Sequence, residues 1–264
     1  MKKIGFVILT WNSSRYIKKC IDSILKFNDI DVEISICDNG SNDETKNILN
    51  EYGKRENVLV KYLEKNYGTT KSRNIAIKAL SKCDYLCILD SDTEIKSEDE
   101  FLKLVEYLDN NPKCGIIGPT LVSLDGSLQY SGRNFPLLRE KFYKVLPFKN
   151  LKEKAHLMEH VNYDEQPDYF SVGYLMSACW LMKWESFEKI GYLDEKIFYA
   201  PEDVEYCARC WKAGLKVVYC KEVSIIHEWQ RISRKKLFSK HNFEHIKGLF
   251  YLNRKHKMKK IKID

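Results

Sequence analysis

The chain has 264 residues, 44% of them hydrophobic, and a net charge of +7. That is enough apolar material for one large α/β domain with a small extension, and no segment approaches the roughly 18–20 consecutive apolar residues of a membrane span. The charge is uneven: from Arg231 onward twelve Lys or Arg face two acidic residues, a net of +10, so the preceding part sums to −3.

Nine cysteines, most of them inside apolar segments (Cys37, Cys83, Cys87, Cys179, Cys220), read as small core residues and not as a disulfide framework. Cys207-x-x-Cys210 falls in a predicted helix with no second pair at zinc-finger spacing, which leaves zinc or redox use without support. Met1-Lys2-Lys3 before an apolar run resembles a signal peptide. The run is short, no small-residue cleavage site follows, and Trp11-Asn12-Ser13 reads as a strand-to-loop junction, so the expectation is a first buried strand in a cytoplasmic protein.

In chain order, Lys3 to Thr10 is strand one. Asn12, Ser13 and Ser14 are placed to cap a helix from Tyr16 to Phe27, with Ile17, Ile21, Ile24 and Leu25 at helical spacing. Val32 to Cys37 is a strand that ends in the polar cluster Asp38 to Asp43, which opens a helix from Thr45 to Tyr52. Val58 to Leu63 is a third strand, Asn66-Tyr67-Gly68 a turn, and Thr70 to Leu80 a helix. Tyr85 to Leu89 has the β-rich make-up of a strand buried on both faces. The order βαβαβαβ implies a mostly parallel central sheet with helices on both faces.

A helix follows from Glu98, capped by Ser97, to Asn110, where Asn111-Pro112 stops it. Cys114 to Pro119 is a strand. Leu121 to Leu124 and Leu128 to Tyr130, around Asp125-Gly126, form a hairpin, a small antiparallel addition. The stretch from about Leu138 to Asp168 shows no period and reads as a mobile or acceptor-facing segment. Tyr169 to Trp184 is apolar and buried, and Phe187 to Gly191 ends a helix. Another helix begins at Glu202-Asp203 and stops at Gly214. Lys216 to Tyr219 and Val223 to Ile226 are two short strands, the second closed by His227. From Arg234 the pattern is again helical, a basic C-terminal extension.

The chemistry gathers where strands end. In Asp90-Ser91-Asp92 two carboxylates point the same way from an extended segment at the rim of the sheet, the place where open α/β folds hold ligands. They repel unless a cation lies between them, and hard oxygen ligands suit Mg²⁺ or Mn²⁺ shared with substrate phosphates. Asp38 is an acceptor-only group that can take the imide N–H of a pyrimidine. Arg73, one turn into its helix, can pair with that Asp or contact a diphosphate. Each has a structural alternative at this stage: Asp38 as a helix cap, Arg73 as a solvated helix residue, Glu202-Asp203 as charge stabilisation of a helix start, His227 as a structural strand-end residue, Trp180 and Trp184 as core.

Five motifs in order, I-L-T-W-N at 8–12, C-D-N-G-S at 37–41, N-Y-G-T-T-K-S-R-N at 66–74, L-D-S-D at 89–92 and P-E-D-V-E at 201–205, make the chain resemble a family 2 glycosyltransferase of GT-A fold from Ile4 to about Arg254. S-G-R-N-F-P at 131–136 and I-I-H-E-W at 225–229 are similar to its bacterial rhamnosyltransferase-type members. The sequence departs from the family at Trp11, where Tyr or Phe is usual, and at Glu228-Trp229, where glycines often follow the histidine. The resemblance implies roles by position. Thr10 and Asn12 line the nucleotide pocket, and Asp38 binds the pyrimidine, with Asn66 and Arg73 close by. Asp90 and Asp92 sit at the metal, the first nearer the ribose, with His227 reaching the metal or the diphosphate. Asp203 is the base of a direct displacement with inversion, with Glu202 as understudy. Beside these, Arg73 or Arg133 would neutralise the leaving diphosphate, and Trp180 is by residue type a candidate to stack on a sugar, with core packing its other role.

The expected domain runs over residues 1–230, with a nucleotide-binding half at 1–97 and an acceptor-binding half at 98–230. The basic amphipathic helical tail at 231–264 suits an anionic membrane surface and would place the protein peripherally on the inner face of the plasma membrane; a solvated tail is the alternative. The implied partners are a UDP- or dTDP-linked sugar and a glycan or lipid-linked acceptor. Nucleic acid is not among them, since no recognition motif accompanies the charge. Two other classes stay open. A sugar-phosphate nucleotidyltransferase wants a glycine-rich loop after strand one, where Trp11 to Arg15 has none. A non-catalytic sugar-nucleotide-binding protein has no need to keep Asp90, Asp92 and Asp203.

Overall fold

The computed structural model describes residues 1–136, 148, 150, 151, 153, 158–228, 240–256 and 261–263. Of the acceptor-facing stretch expected from Leu138 to Asp168, all but residues 148, 150, 151, 153 and 158–168 lie outside the described residues. So do residues 229 and 230, and residues 231–239, 257–260 and 264 of the basic tail.

The first half alternates as expected: β1 (Lys3–Thr10), α1 (Ile17–Ile24), β2 (Asp31–Asp38), α2 (Thr45–Tyr52), β3 (Val58–Tyr62), α3 (Thr69–Ala79) and β4 (Tyr85–Asp90). Then come β5 (Thr93–Glu94), α4 (Glu98–Asn110), β6 (Cys114–Val122), β7 (Leu128–Gln129) and β8 (Gly132–Arg133). The second half adds β9 (Tyr169–Ser171), β10 (Tyr174–Leu175), β11 (Cys179–Lys183), α5 (Trp184–Ile190), α6 (Glu202–Lys212), β12 (Lys216–His227) and α7 (Lys240–His256).

One sheet carries the molecule, in the order β3-β2-β1-β4-β11-β6-β12-β5, with β7 on β6 and β9 on β12; β8 and β10 form a separate antiparallel pair. The β3-β2-β1-β4 block is parallel, β11 runs against both β4 and β6, and β12 runs with β6. Alternation along the strands divides the apolar residues between two layers. Ile4, Phe6 and Ile8 of β1 and Cys87 and Leu89 of β4 face α1, α2 and α4. Val7, Leu86 and Ile88 face the layer that contains Ala76 and Ile77 of α3 and Tyr206 of α6. α4 shows the helical logic most plainly. Phe101, Leu104, Val105 and Leu108 are its buried stripe, and Ser97 accepts the Glu100 N–H at its start, a cap that stabilises by about 1 kcal/mol.

Three local expectations need correction, and one feature was not foreseen. α1 is shorter than expected, and its N-cap Tyr16 has no side-chain cap bond; the free amides of Tyr16 and Ile17 go to the Ser13 carbonyl instead. β6 continues through Pro119 to Val122 and forms the hairpin with β7 itself, placing Leu121 opposite Gln129. The two short strands after Lys216 are one strand, β12, with a register irregularity between Cys220 and Ser224. There Lys221-Glu222 interrupts the apolar pattern without ending the strand. Finally, β11 enters the centre of the sheet antiparallel, which the apolar run at 169–184 does not reveal.

α7 lies on α6 and not apart from the body. Leu252 is buried, Lys255 bridges Asp194 and Glu205 at 2.6 and 2.8 Å, and His256 Nε2 is 3.0 Å from Glu205. Gly248 allows the closest approach: a Cβ there would sit 2.5 Å from Pro201 Cδ and 2.7 Å from the Ala200 carbonyl oxygen.

Candidate active site

β4 and β12 deliver three ligand-type side chains to one point. β4 ends at Asp90, the turn holds Asp92, and β12 closes the ladder with His227 opposite Thr93 of β5. The Glu228 N–H then donates to the Asp92 carbonyl at 2.8 Å. One ligand atom each from Asp90, Asp92 and His227 lies within 4.8 Å of the other two, and among the described residues no other such cluster of three occurs. Two carboxylates and an imidazole suit Mn²⁺ or Mg²⁺, so the residues present fit a divalent cation. The buried thiols of Cys207 and Cys210 take no part. Burial, the largest influence on His227, works to lower its pKa, but the Asp92 and Asp90 carboxylates outweigh it and leave it raised.

Arg73 ties this cluster to the second half of the chain. It is 2% exposed. Its Nη2 donates to Asp90 Oδ1 at 2.6 Å and to the Ser177 carbonyl at 3.2 Å, and its Nη1 to Glu202 Oε1 at 3.4 Å. The sequence allowed it to pair with Asp38; the structure gives it Asp90 and Glu202 instead. Glu202 also accepts the Ser177 hydroxyl at 2.9 Å. Burial, then the neighbouring Asp203 charge, raise the Glu202 pKa, and Arg73 only partly offsets them. Asp203 is also raised by burial, against the Val204 N–H and the charges of Arg133 and Arg73. Its Oδ1 accepts the Val204 N–H at 2.8 Å, held at the first turn of α6.

These groups share a cleft of about 350 Å³ lined by Asp90, Asp92 and His227 on one side and Glu202 and Asp203 on the other. Trp11, Asn39 and Asn66 line it at the β1-β2 end, and Phe198, packed against Gly68 beside Asn66, and Tyr199 complete the lining. Gly68, with φ of 92°, lets the α3 start pass 2.7 Å under the Phe198 carbonyl, which accepts the Thr69 N–H.

Other expected site residues are placed differently. Asp38 is fully buried, and its carboxylate accepts the Ser41 N–H and hydroxyl; the side chain that lines the cleft from this strand end is Asn39. Asn66 holds that rim, its Oδ1 accepting from Asn39 at 3.0 Å and from the Gly68 N–H at 2.9 Å. Thr10 is buried at the end of β1 with no partner for its hydroxyl among the described residues. Asn12 does not cap α1. At φ of 51° it ties two loops together by accepting the Asn42 N–H at 2.9 Å.

Trp180 is not an acceptor platform: it is fully buried, stacked on Tyr206 at 5.4 Å between ring centres. Arg133 is outside the cleft lining, 3.7 Å from Glu159 and bonded to the Tyr130 carbonyl at 3.0 Å.

Sequence reasoning missed Ser177, which a polar break in the apolar run at 169–184 signals. It also missed Gln129, for which no local signal exists, and the exposed aromatic pair Phe198 and Tyr199 beside the E-D motif.

A family model for "Glycosyl transferase family 2" matches residues 6–191. The chain belongs to that family. It is 26% identical over 235 residues to an N-acetylglucosaminyl-diphospho-decaprenol L-rhamnosyltransferase of Mycobacterium tuberculosis, covering 84% of this chain and 74% of that one. It is also 26% identical over 223 residues to the dTDP-rhamnosyl transferase RfbF of Shigella flexneri, covering 84% and 67%. Among solved structures, GalNAc-T7 with UDP, GalNAc and Mn²⁺ superposes with a TM-score of 0.64 at 17% identity; the match takes in 87% of this chain and 45% of that one. The fold is thus GT-A, and the family 2 glycosyltransferase described here spans under half of that solved chain.

Proposed function

We propose that the protein is an inverting glycosyltransferase that moves a sugar from a UDP- or dTDP-linked donor to a hydroxyl of a glycan or lipid-linked acceptor. The observation that carries the reading is that Asp92 and Asp203, from opposite halves of the chain, line one cleft. An arginine between them is bonded to an acid on each side. The curated relatives named as rhamnosyltransferases favour a dTDP-linked deoxyhexose.

Asp203 accepts the proton of the acceptor hydroxyl as its oxygen forms a bond to the anomeric carbon. The bond from that carbon to the diphosphate oxygen breaks on the opposite face. Burial raises the Asp203 pKa toward the working range of a base, and general-base help of this kind contributes about 10²–10⁴ in rate. Glu202 is held by Ser177 and Arg73, which leaves Asp203 the freer of the two. Asp90, Asp92 and His227 would hold Mn²⁺ or Mg²⁺, which supplies charge neutralisation for the leaving diphosphate. Arg73 is engaged by two carboxylates, so its part is to keep Asp90 and α6 in place.

At the base end Trp11, Asn39 and Asn66 face the ligand. Asp38, buried behind Asn39 at this rim, would take a pyrimidine imide N–H once the rim opens and Ser41 gives up its hydroxyl bond. Phe198 and Tyr199, 37% and 41% exposed, offer apolar ring faces to the acceptor sugar. Residues 231–264 remain a proposed contact with an anionic, inner-face membrane surface, although α7 has one face on α6. No helix among the described residues is long and apolar enough to cross a membrane.

A thermal-shift panel tests the reading. UDP or dTDP with Mn²⁺ stabilises the protein and ADP does so little. An equal response to all three contradicts the pocket.

A further inference from the structure

Gln129 lies behind the metal-type cluster, against His227. It is 6% exposed on β7, one strand removed from β12. Leu121 of β6 lies opposite both Gln129 and Ile225. His227, two residues beyond Ile225, therefore presents its side chain to the same face of the sheet. The Gln129 Nε2 amide donates to the His227 carbonyl at 2.7 Å and to Ser123 Oγ at 3.0 Å, and Oε1 lies 2.7 Å from His227 Nδ1.

The carbonyl decides the orientation. It can only accept, so the NH₂ end of the amide must face it, and a flipped amide sets two oxygens against each other. Oε1 is then left toward Nδ1, and a carbonyl-type oxygen at that distance requires Nδ1 to carry the hydrogen. The other ring nitrogen, Nε2, points to Asp92, 3.5 Å from its Oδ1. In the neutral ring Nε2 therefore holds the lone pair on the side of Asp90 and Asp92. Hydrogen bonds to the far nitrogen of a ligand histidine orient the ring and set its tautomer in this way.

We propose that Gln129 is a positioning residue that holds His227 as the Nδ1–H tautomer and so presents Nε2 to a divalent cation. The inference rests on the metal-site reading above and adds to it which nitrogen binds and what sets it.

The test has two arms. Long-range ¹H–¹⁵N spectra of the metal-free protein with ¹⁵N-histidine, taken above the pH at which His227 loses its second proton and assigned by the signal lost in His227→Ala, report the tautomer without any change at 129. The expected form is Nδ1–H, and an Nε2–H ring overturns the proposal. Calorimetric titration with Mn²⁺ gives the second arm. Gln129→Leu is expected to weaken Mn²⁺ binding about 10- to 100-fold. Gln129→Leu combined with His227→Ala is expected to bind no more weakly than His227→Ala alone. Unchanged binding in Gln129→Leu, or additive losses in the double variant, overturns it. If the wild type itself binds no Mn²⁺, the metal reading falls, whichever tautomer the spectrum shows.

Discussion

Glu202 and Glu205 stand one turn apart on α6, both buried, at 8% and 1% exposure, yet their chemistry is opposite. Glu205 receives a fork of bonds from Arg209 at 2.9–3.0 Å, with Lys255 at 2.8 Å and His256 at 3.0 Å. Burial works to raise its pKa, but these donors overcome it and hold the pKa at about 2. Glu202 has one hydroxyl, one long arginine contact and an anionic neighbour in Asp203, and its pKa is raised. Helix position and burial alone do not distinguish them; the supply of donors does. Within the same first turn of α6, Glu205 is anchored to α7 while Glu202 and Asp203 are left short of donors, facing a cleft. That contrast is the physical signature of an anchoring group beside a reactive one.

The contrast can be broken from several sides. Arg73→Met removes the cation shared by the half-exposed Asp90 and the buried Glu202 and leaves a buried acid uncompensated, a loss of about 3–5 kcal/mol. A drop in Tm of roughly 10 °C or more is expected by scanning calorimetry, with Mn²⁺ binding weakened. Glu205→Gln comes next. Held at about 2 against an ordinary 4.5, Glu205 contributes about 3 kcal/mol above pH 4.5, lost as pH falls toward 2. The variant should melt roughly 6–12 °C lower at pH 7, with the gap to wild type closing in acid.

Gly248→Ala sets a methyl against Pro201 and the Ala200 carbonyl and strains the approach by about 1–3 kcal/mol. A fall in the transfer rate with unchanged nucleotide affinity is expected, because the displaced segment carries Asp203. Glu202→Gln has the smallest effect and the opposite sign. An acid with a raised folded pKa costs stability above its unfolded value, so this variant should melt slightly higher than wild type at pH 8 and equally at pH 4. A lower Tm for Glu202→Gln at pH 8 would erase the contrast with Glu205.

The alternating half was legible because hydrophobic period and turn chemistry agree along it. α2 and α4 start and stop where polar clusters and Asn111-Pro112 put them. Asp90, Asp92 and Asp203 could be nominated from motifs, but their meeting depends on β11 entering antiparallel and β12 running unbroken to His227, which no local pattern encodes. Arg73 was ambiguous for a topological reason: β2 and β4 flank β1 on either side, and each ends in an acid, Asp38 and Asp90. Trp180 had two readings because a ring that stacks on a sugar stacks equally well on Tyr206, and the core reading holds. Gln129 was invisible, since its role exists only across three strands.

The central claim is that one cleft holds a ligand-binding cluster and a separate base. Initial rates of sugar transfer by wild type and Asp203→Asn, with Mn²⁺ and nucleotide affinities measured on the same samples, test it most directly. The account predicts a loss of about 10²–10⁴ in transfer with both affinities preserved and Tm unchanged or slightly higher. Transfer at the wild-type rate, or a loss of rate that merely follows a loss of nucleotide or Mn²⁺ binding, would contradict it.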